Sequence, residues 1–130
     1  MSKYAQAAIE AVELVYQGVT DSPVKAWDMA TSKLFGKGSW GQKKGCPKNA
    51  FLGLCEDGFI EGIPKGIYNT RENSINKNYA IRAIELITEQ PKLLEDIKEL
   101  WNRASNGNGI SHNHQMHIVK ALYNKNYIKG

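Results

Sequence analysis

The chain has 130 residues, of which 42% are apolar and 23% are charged, and its formal net charge is +4. This composition is typical of a soluble globular protein, and the length favours a single domain over residues 1–130. No apolar run approaches the roughly 20 residues that a membrane helix needs, and acidic residues interrupt the segment in which a signal peptide would be apolar. We therefore expect a cytoplasmic protein that does not associate with membranes.

The charges are segregated along the chain. Residues 29–55 contain five lysines and no acidic residue, and residues 100–130 contain four basic residues and no acidic residue. The remaining segments hold all thirteen acidic residues and eight bases. The two acid-free segments thus carry nine positive charges, while the rest of the chain carries a net negative charge of five. Such a separation favours an anionic partner bound at one place over non-specific association.

Helical periodicity and capping residues predict an all-α fold, a compact bundle of about six short helices. The first two helices are expected over residues 2–18 and 22–36, each with a serine cap at its start and a glycine at its end. The third helix is opened by Cys46-Pro47 and ends at Gly58. Because this third helix is short and very apolar, we expect it at the centre of the fold.

The second half of the chain contains the other three predicted helices. Turn-forming residues at intervals of a few positions predict an extended connector over residues 59–75. A fourth helix begins at Asn76 or the next residue, and Pro91 both ends it and opens the fifth. Asparagine and glycine then predict a loop over residues 105–109, after which Ser111 is expected to cap the sixth helix.

Residues 50–62 and 118–130 share a pattern of a short apolar helix, a glycine or asparagine, an aromatic residue, an isoleucine, a charge and a glycine. Glycine or asparagine at that position suits the left-handed conformation that ends a helix. The pattern allows Ile60 and Ile128 to pair as a minimal two-stranded ribbon. Two helices that end in the same way explain the similarity more simply than a duplication, because repeat proteins normally need about three or more units.

The two cysteines, Cys46 and Cys55, are expected to be free thiols in a reducing compartment. Within one helix their Cα atoms would lie about 13 Å apart along the axis, whereas a disulfide needs roughly 4.4–6.8 Å.

Several segments have a distinctive sequence: Trp27, residues 34–38, residues 45–58, residues 62–68, Ser111-His112-Asn113 and Gln115-Met116. Together they resemble a family of small bacterial helical proteins, a domain of unknown function, over most of the chain. The resemblance implies a mostly helical bacterial or phage protein and supplies no activity. His114 and His117 match no pattern of that family.

A loop over residues 36–45 is rich in glycine and lysine and leads into the third helix. Helix N-termini present N–H donors and positive partial charge, glycines permit close approach, and lysines bind phosphate. The spacing is not that of a P-loop. The predicted contacts are Trp40 for stacking, Lys43, Lys44 and Lys48 for phosphate, and the backbone from Gly45 through Cys46 to Lys48. A solvated linker whose lysines face water explains the same residues equally well.

A second polar loop, residues 106–111, opens the last helix. If the fold brings the two loops together, they form a two-sided cleft. The polar contacts predicted for this cleft are Asn49, Ser111, His112, Asn113 and Gln115. Ordinary helix capping is the simpler explanation for any one of these residues.

The sequence therefore favours a non-enzymatic binder of a phosphate-bearing ligand, which is a nucleotide, a nucleotide-like messenger or a nucleic acid backbone. We expect no cofactor and no metal, because the spacing of His114 and His117 matches no zinc signature. One alternative is a cysteine-dependent enzyme, since lysines around a helix N-terminus favour the thiolate of Cys46 and a histidine would serve as its base. Another is a protein-interaction module that docks an acidic partner through the basic face.

Overall fold

Helices make up most of the computed structural model, which describes residues 2–68, 75–107 and 114–129. Within these residues the protein is an all-α bundle, as predicted, with seven α-helices and one short 3₁₀ helix over Pro91–Glu95. The α-helices are α1 (Lys3–Tyr16), α2 (Pro23–Phe35), α3 (Trp40–Lys43), α4 (Gly45–Glu56), α5 (Ile75–Glu89), α6 (Ile97–Ala104) and α7 (Gln115–Asn124). None of the described helices is long and apolar enough to cross a bilayer.

The predicted starts and ends of the first two helices are confirmed. The Ser2 hydroxyl accepts a hydrogen bond from the Ala5 N–H at 3.0 Å, and the Ser22 hydroxyl accepts one from the Lys25 N–H at 3.2 Å. Gly18 follows α1 with a φ of 76°, the left-handed conformation that ends a helix at low cost when the residue is glycine.

Two predictions about helices were wrong. Helix α3, a single turn within the glycine- and lysine-rich loop, was expected to be loop. The fifth predicted helix does not begin at Pro91, which opens only the 3₁₀ helix. Instead the carboxylate of Asp96 accepts a hydrogen bond from the Glu99 N–H at 3.1 Å, so that a strong capping residue starts α6.

Helix α7 begins at Gln115, and His114 precedes it with a left-handed φ of 70°. The predicted cap, Ser111, lies outside the described residues. Helix α5 begins at Ile75, slightly earlier than its expected start.

Helix α4 is central, as its composition predicted. Its residues 51–55 are all buried, which covers the whole circumference of the helix. Phe51 stacks on Trp27 of α2 with ring centroids 5.1 Å apart, and neither side chain is exposed. Helix α4 also packs against α5 and α7, so its N-terminus is fixed by the core of the bundle.

The predicted ribbon is present as one antiparallel bridge between Ile60 and Ile128. Two backbone hydrogen bonds flank the bridge, from Glu61 N–H to the Tyr127 carbonyl at 2.7 Å and from Lys129 N–H to the Phe59 carbonyl at 2.8 Å. The segments that follow α4 and α7 are thereby joined.

The ends of α4 and α7 have the same hydrogen-bond geometry. Gly58 and Asn126 are left-handed, with φ of 77° and 62°. In both helices the N–H of the residue after the left-handed one donates a hydrogen bond at 3.0 Å to the carbonyl five positions earlier. These bonds run from Phe59 to Leu54 and from Tyr127 to Leu122. This is the Schellman arrangement. The similarity that the sequence shows is therefore a shared way of ending a helix and beginning an extended segment.

Candidate functional site

The glycine- and lysine-rich loop is held against α2 by one side chain, that of Gln42. Its Oε1 accepts a hydrogen bond from the Gly38 N–H at 2.6 Å, and its Nε2 donates to the Ser32 hydroxyl at 2.7 Å. The Ser39 hydroxyl accepts from the Gln42 N–H at 3.3 Å and caps α3. The loop is thus an ordered turn and not a flexible linker, although Lys37, Lys43 and Lys44 face water, as the linker interpretation expected.

A second attachment of this loop is at Gly41. The Tyr4 hydroxyl donates to the Gly41 carbonyl at 2.7 Å. The Phe35 ring packs so closely on Gly41 that a Cβ there would lie 2.6 Å from Phe35 Cδ1. Because only glycine allows this approach, α3 sits directly on the aromatic side chains of α1 and α2.

An open cleft of about 580 Å³ lies between the outward face of α2 and this loop. Its lining residues are Asp28, Met29, Ser32, Lys37, Gly38, Gln42, Lys43 and Lys48. Three lysines therefore border one depression, against a single carboxylate. Met29, which is 45% exposed, gives the cleft an apolar part of its lining. The arrangement suits an anionic ligand that also has an apolar portion.

Trp40 belongs to α3, the turn that borders this cleft. Its side chain is 92% exposed, and it shares the single turn of α3 with the lining residues Gln42 and Lys43. The predicted stacking residue is therefore accessible to a ligand that extends beyond the cleft.

The N-terminus of α4 lies beside the cleft. The helix starts at Gly45, its N-cap is Lys44, and among the described residues no side chain caps it and no acidic residue lies in its first turn. Lys44 and Gly45 are exposed, whereas Cys46, Lys48 and Asn49 are half-buried. The predicted backbone contacts from Gly45 to Lys48 are therefore near the lysines that line the cleft.

Of the second polar loop, residues Ser111, His112 and Asn113 lie outside the described residues. The next residue, His114, has its ring centroid 5.0 Å from that of Tyr4, whose hydroxyl bonds to Gly41. Burial lowers the pKa of His114, and the nearby charges of His117 and Lys44 lower it further. The start of α7 is therefore close to the turn before α4, while the Ile60–Ile128 bridge joins the opposite ends of the two helices.

The last predicted contact, Gln115, lies in the interior. Gln115 is only 1% exposed, and its Nε2 donates a hydrogen bond to Asn76 Oδ1 at 2.8 Å. In this position Gln115 links α7 to α5.

Sequence reasoning missed several cleft residues, above all Met29, Ser32, Lys37 and Gln42. A signal for two of them was present, because Met29 and Ser32 are three positions apart on the face of α2 opposite its buried residues. Gln42 is the single amide in a loop of glycines and lysines. Its partners were not predictable, since they depend on how the loop folds back.

Cys46 and Cys55 are free thiols, as expected. Cys55 is fully buried, and burial raises the pKa of its thiol. His114 and His117 have ring centroids 5.7 Å apart. Within the described ranges, no group of three or more histidine, cysteine or acidic side chains is arranged to hold a metal ion.

These features define a small all-α protein with an open, lysine-lined cleft. The model of the family of unknown function DUF6979 matches residues 1–129, and the chain belongs to that family. Comparison with curated proteins and with solved structures finds no match.

Proposed function

We propose that the protein binds a phosphate-bearing ligand in the open cleft between α2 and the α3 turn. The observation that carries this proposal is the convergence of Lys37, Lys43 and Lys48 on one cleft. Lysine ammonium groups act as point charges toward phosphate, and several of them around one depression raise the local concentration of an anion.

Among the described residues, no ion pair neutralises the charges of these lysines. Lys33 pairs with Glu10 at 2.8 Å, and Lys77 pairs with Glu56 and Asp57 at 3.0 Å. In the part of the chain that the structure describes, the three cleft lysines make no ion pair. Their positive charge is therefore available to a ligand.

The neighbouring backbone adds to this preference. The N-terminus of α4 carries the positive end of the helix dipole. Lys44 occupies its N-cap position without a side-chain cap, and no carboxylate lies in its first turn. We therefore infer a non-enzymatic binding protein. The family resemblance bears only on a bacterial or phage origin, and the cytoplasmic location stays a prediction. Cysteine chemistry at Cys46 and docking of an acidic protein stay as the alternatives.

Tripolyphosphate is the simplest probe of the proposed function. Isothermal titration calorimetry should show binding to the wild-type protein, and Lys43→Gln combined with Lys48→Gln should weaken it about tenfold or more. The matched control is Lys25→Gln, because Lys25 is an exposed lysine of α2 that does not line the cleft. The proposal is wrong if the wild type does not bind, or if the double variant and the control bind equally well.

The melting temperature serves as a check on folding. Surface substitutions usually change stability within about 0.5 kcal/mol, so both variants should melt close to the wild type.

A further inference from the structure

We infer that the phosphate-bearing ligand is a single-stranded nucleic acid, with Trp40 as the platform on which a base stacks. The inference rests on the proposed function, since the cleft lysines must hold the backbone phosphates. It adds the class of ligand and the role of the exposed indole.

The exposure of Trp40 is a property of a fixed turn. Its neighbours Ser39, Gly41 and Gln42 are all hydrogen-bonded, to the α3 backbone, to Tyr4 and to α2 respectively. The indole nevertheless stays 92% exposed. Removing an aromatic ring of this size from water is energetically favourable. Its presentation on a rigid turn therefore indicates a partner that buries it.

The other two tryptophans are treated differently by the fold. Trp27 is completely buried against Phe51, and Trp101 is half-buried and packs edge-to-face on Tyr79 at 5.0 Å. Two of the three indole rings therefore pack against other aromatic rings of the bundle, and only that of Trp40 is almost fully exposed.

The position of Trp40 relative to the cleft favours an extended ligand. Trp40 is not among the lining residues, whereas Lys37, Lys43 and Lys48 are, and Lys43 follows it by three positions in the same helical turn. A mononucleotide enclosed by the cleft would leave the ring in water. A strand that runs from the cleft over α3 would bring phosphates to the lysines and a base to the ring.

The chemistry of the basic residues favours a phosphate backbone in single-stranded form. The acid-free segment over residues 29–55 contains lysines and no arginine. Lysine lacks the planar guanidinium with which arginine forms two parallel hydrogen bonds to a carboxylate. A surface of lysines therefore neutralises the successive phosphate charges of a backbone without requiring a particular orientation of each group. In a duplex the base faces are covered by stacking, whereas in a single strand they are free to stack on an aromatic ring.

Fluorescence anisotropy with labelled strands tests the inference. The probes are an oligothymidylate of about 15 nucleotides, a strand of equal length that carries abasic sites throughout, and a duplex of equal length. We expect the oligothymidylate to bind about 5- to 150-fold more tightly than the abasic strand, because one stacked base contributes about 1–3 kcal/mol. The duplex should bind no better than the abasic strand.

Substitutions assign this difference to the indole. Trp40→Ala should reduce the affinity for the oligothymidylate to that for the abasic strand, and Trp40→Phe should retain most of the difference. Lys43→Gln with Lys48→Gln should weaken both single strands alike and lower the dependence of affinity on salt. Because Trp40 is exposed, its variants should fold like the wild type.

Other outcomes would overturn the inference in distinguishable ways. Equal affinity for the oligothymidylate and the abasic strand, or no effect of Trp40→Ala, would remove base stacking and leave the phosphate site intact. Binding of tripolyphosphate but of no strand would show a small-ligand site. Binding of polyglutamate alone would indicate an acidic protein partner and would overturn the proposed function as well.

Discussion

The Tyr4 hydroxyl donates a hydrogen bond to the Gly41 carbonyl at 2.7 Å, and this bond ties the candidate loop to the first helix. The same ring lies 4.6 Å from the ring of Phe35 and 5.0 Å from that of His114, measured between centroids. The phenol is protonated at neutral pH and can donate this bond, and burial raises the pKa of Tyr4 further above its usual range. One side chain therefore joins α1, the end of α2, the α3 turn and the start of α7.

Tyr4→Phe should loosen the α3 turn while keeping the ring contacts. The loss of one partly buried hydrogen bond should lower the free energy of unfolding by about 0.5–1.5 kcal/mol. We also expect a several-fold weaker affinity for tripolyphosphate, because a mobile turn must be ordered on binding. Urea denaturation, calorimetry and hydrogen exchange at residues 38–44 measure the three effects.

The matched control is Tyr123→Phe, because the Tyr123 hydroxyl makes no hydrogen bond within the described residues. Equal behaviour of the two variants would show that the bond to Gly41 does not position the turn.

Gly53→Ala should destabilise the protein, although alanine is normally the better residue in a helix interior. A Cβ at this position would lie 2.4 Å from Cγ of Lys77. Because Cγ is close to the backbone of α5, the side chain must move as a whole and break its 3.0 Å contacts with Glu56 and Asp57. We expect a loss of about 1–3 kcal/mol in urea denaturation.

Gly45→Ala is the comparison within the same helix. A Cβ at Gly45 would meet only the Asn49 amide nitrogen, at 3.8 Å. This variant should be as stable as the wild type or slightly more so. If Gly53→Ala is as stable as the wild type, the Lys77 side chain does not depend on the absence of a Cβ at position 53 to keep its ion pairs.

The stability of the protein should decrease as the pH falls below about 6.5. Burial lowers the pKa of both His114 and His117 from the usual 6.5, and the charge of Lys120 lowers that of His117 further. The unfolded chain therefore takes up protons first on acidification. The histidines' contribution to the free energy of unfolding is complete above about pH 6.5 and declines as the pH falls from there toward their lowered pKa in the folded state. Urea denaturation at pH 7.5, 6.5 and 5.5 measures the trend.

The histidines can be assigned as the cause by substitution. His114→Asn combined with His117→Gln should flatten the dependence of stability on pH, and asparagine is chosen because it tolerates the left-handed conformation at position 114. An unchanged slope in the double variant would assign the effect to other groups.

Most of the elements that could be predicted from the sequence depend on local chemistry. The serine caps and the left-handed ends of α4 and α7 follow from a few adjacent residues. The lysines of the cleft were recognisable for the same reason, because charge and glycine content are local. The pairing of Ile60 with Ile128 is a distant contact, and it was suggested by the similarity of the two segments that contain these residues.

The remainder of the site depends on distant contacts. Gln42 is separated by ten positions from Ser32, and Gly41 by 37 positions from Tyr4. No periodicity in the loop indicates that these residues meet. The wrong start of the fifth helix has another cause, since Pro91 and Asp96 are both suitable first residues and only packing decides between them.

The closing contacts of the bundle also bear on how the chain folds during synthesis. The Tyr127 hydroxyl donates to Glu13 Oε2 at 2.8 Å, across 114 positions of sequence, and Ile128 completes the bridge to Ile60. Because α1 packs on α7, the ribosome releases α1 long before the helix that covers it has been made. The nascent chain must therefore keep the face of α1 that packs on α7 uncovered until α7 has been synthesised, and during this interval chaperone binding competes with aggregation.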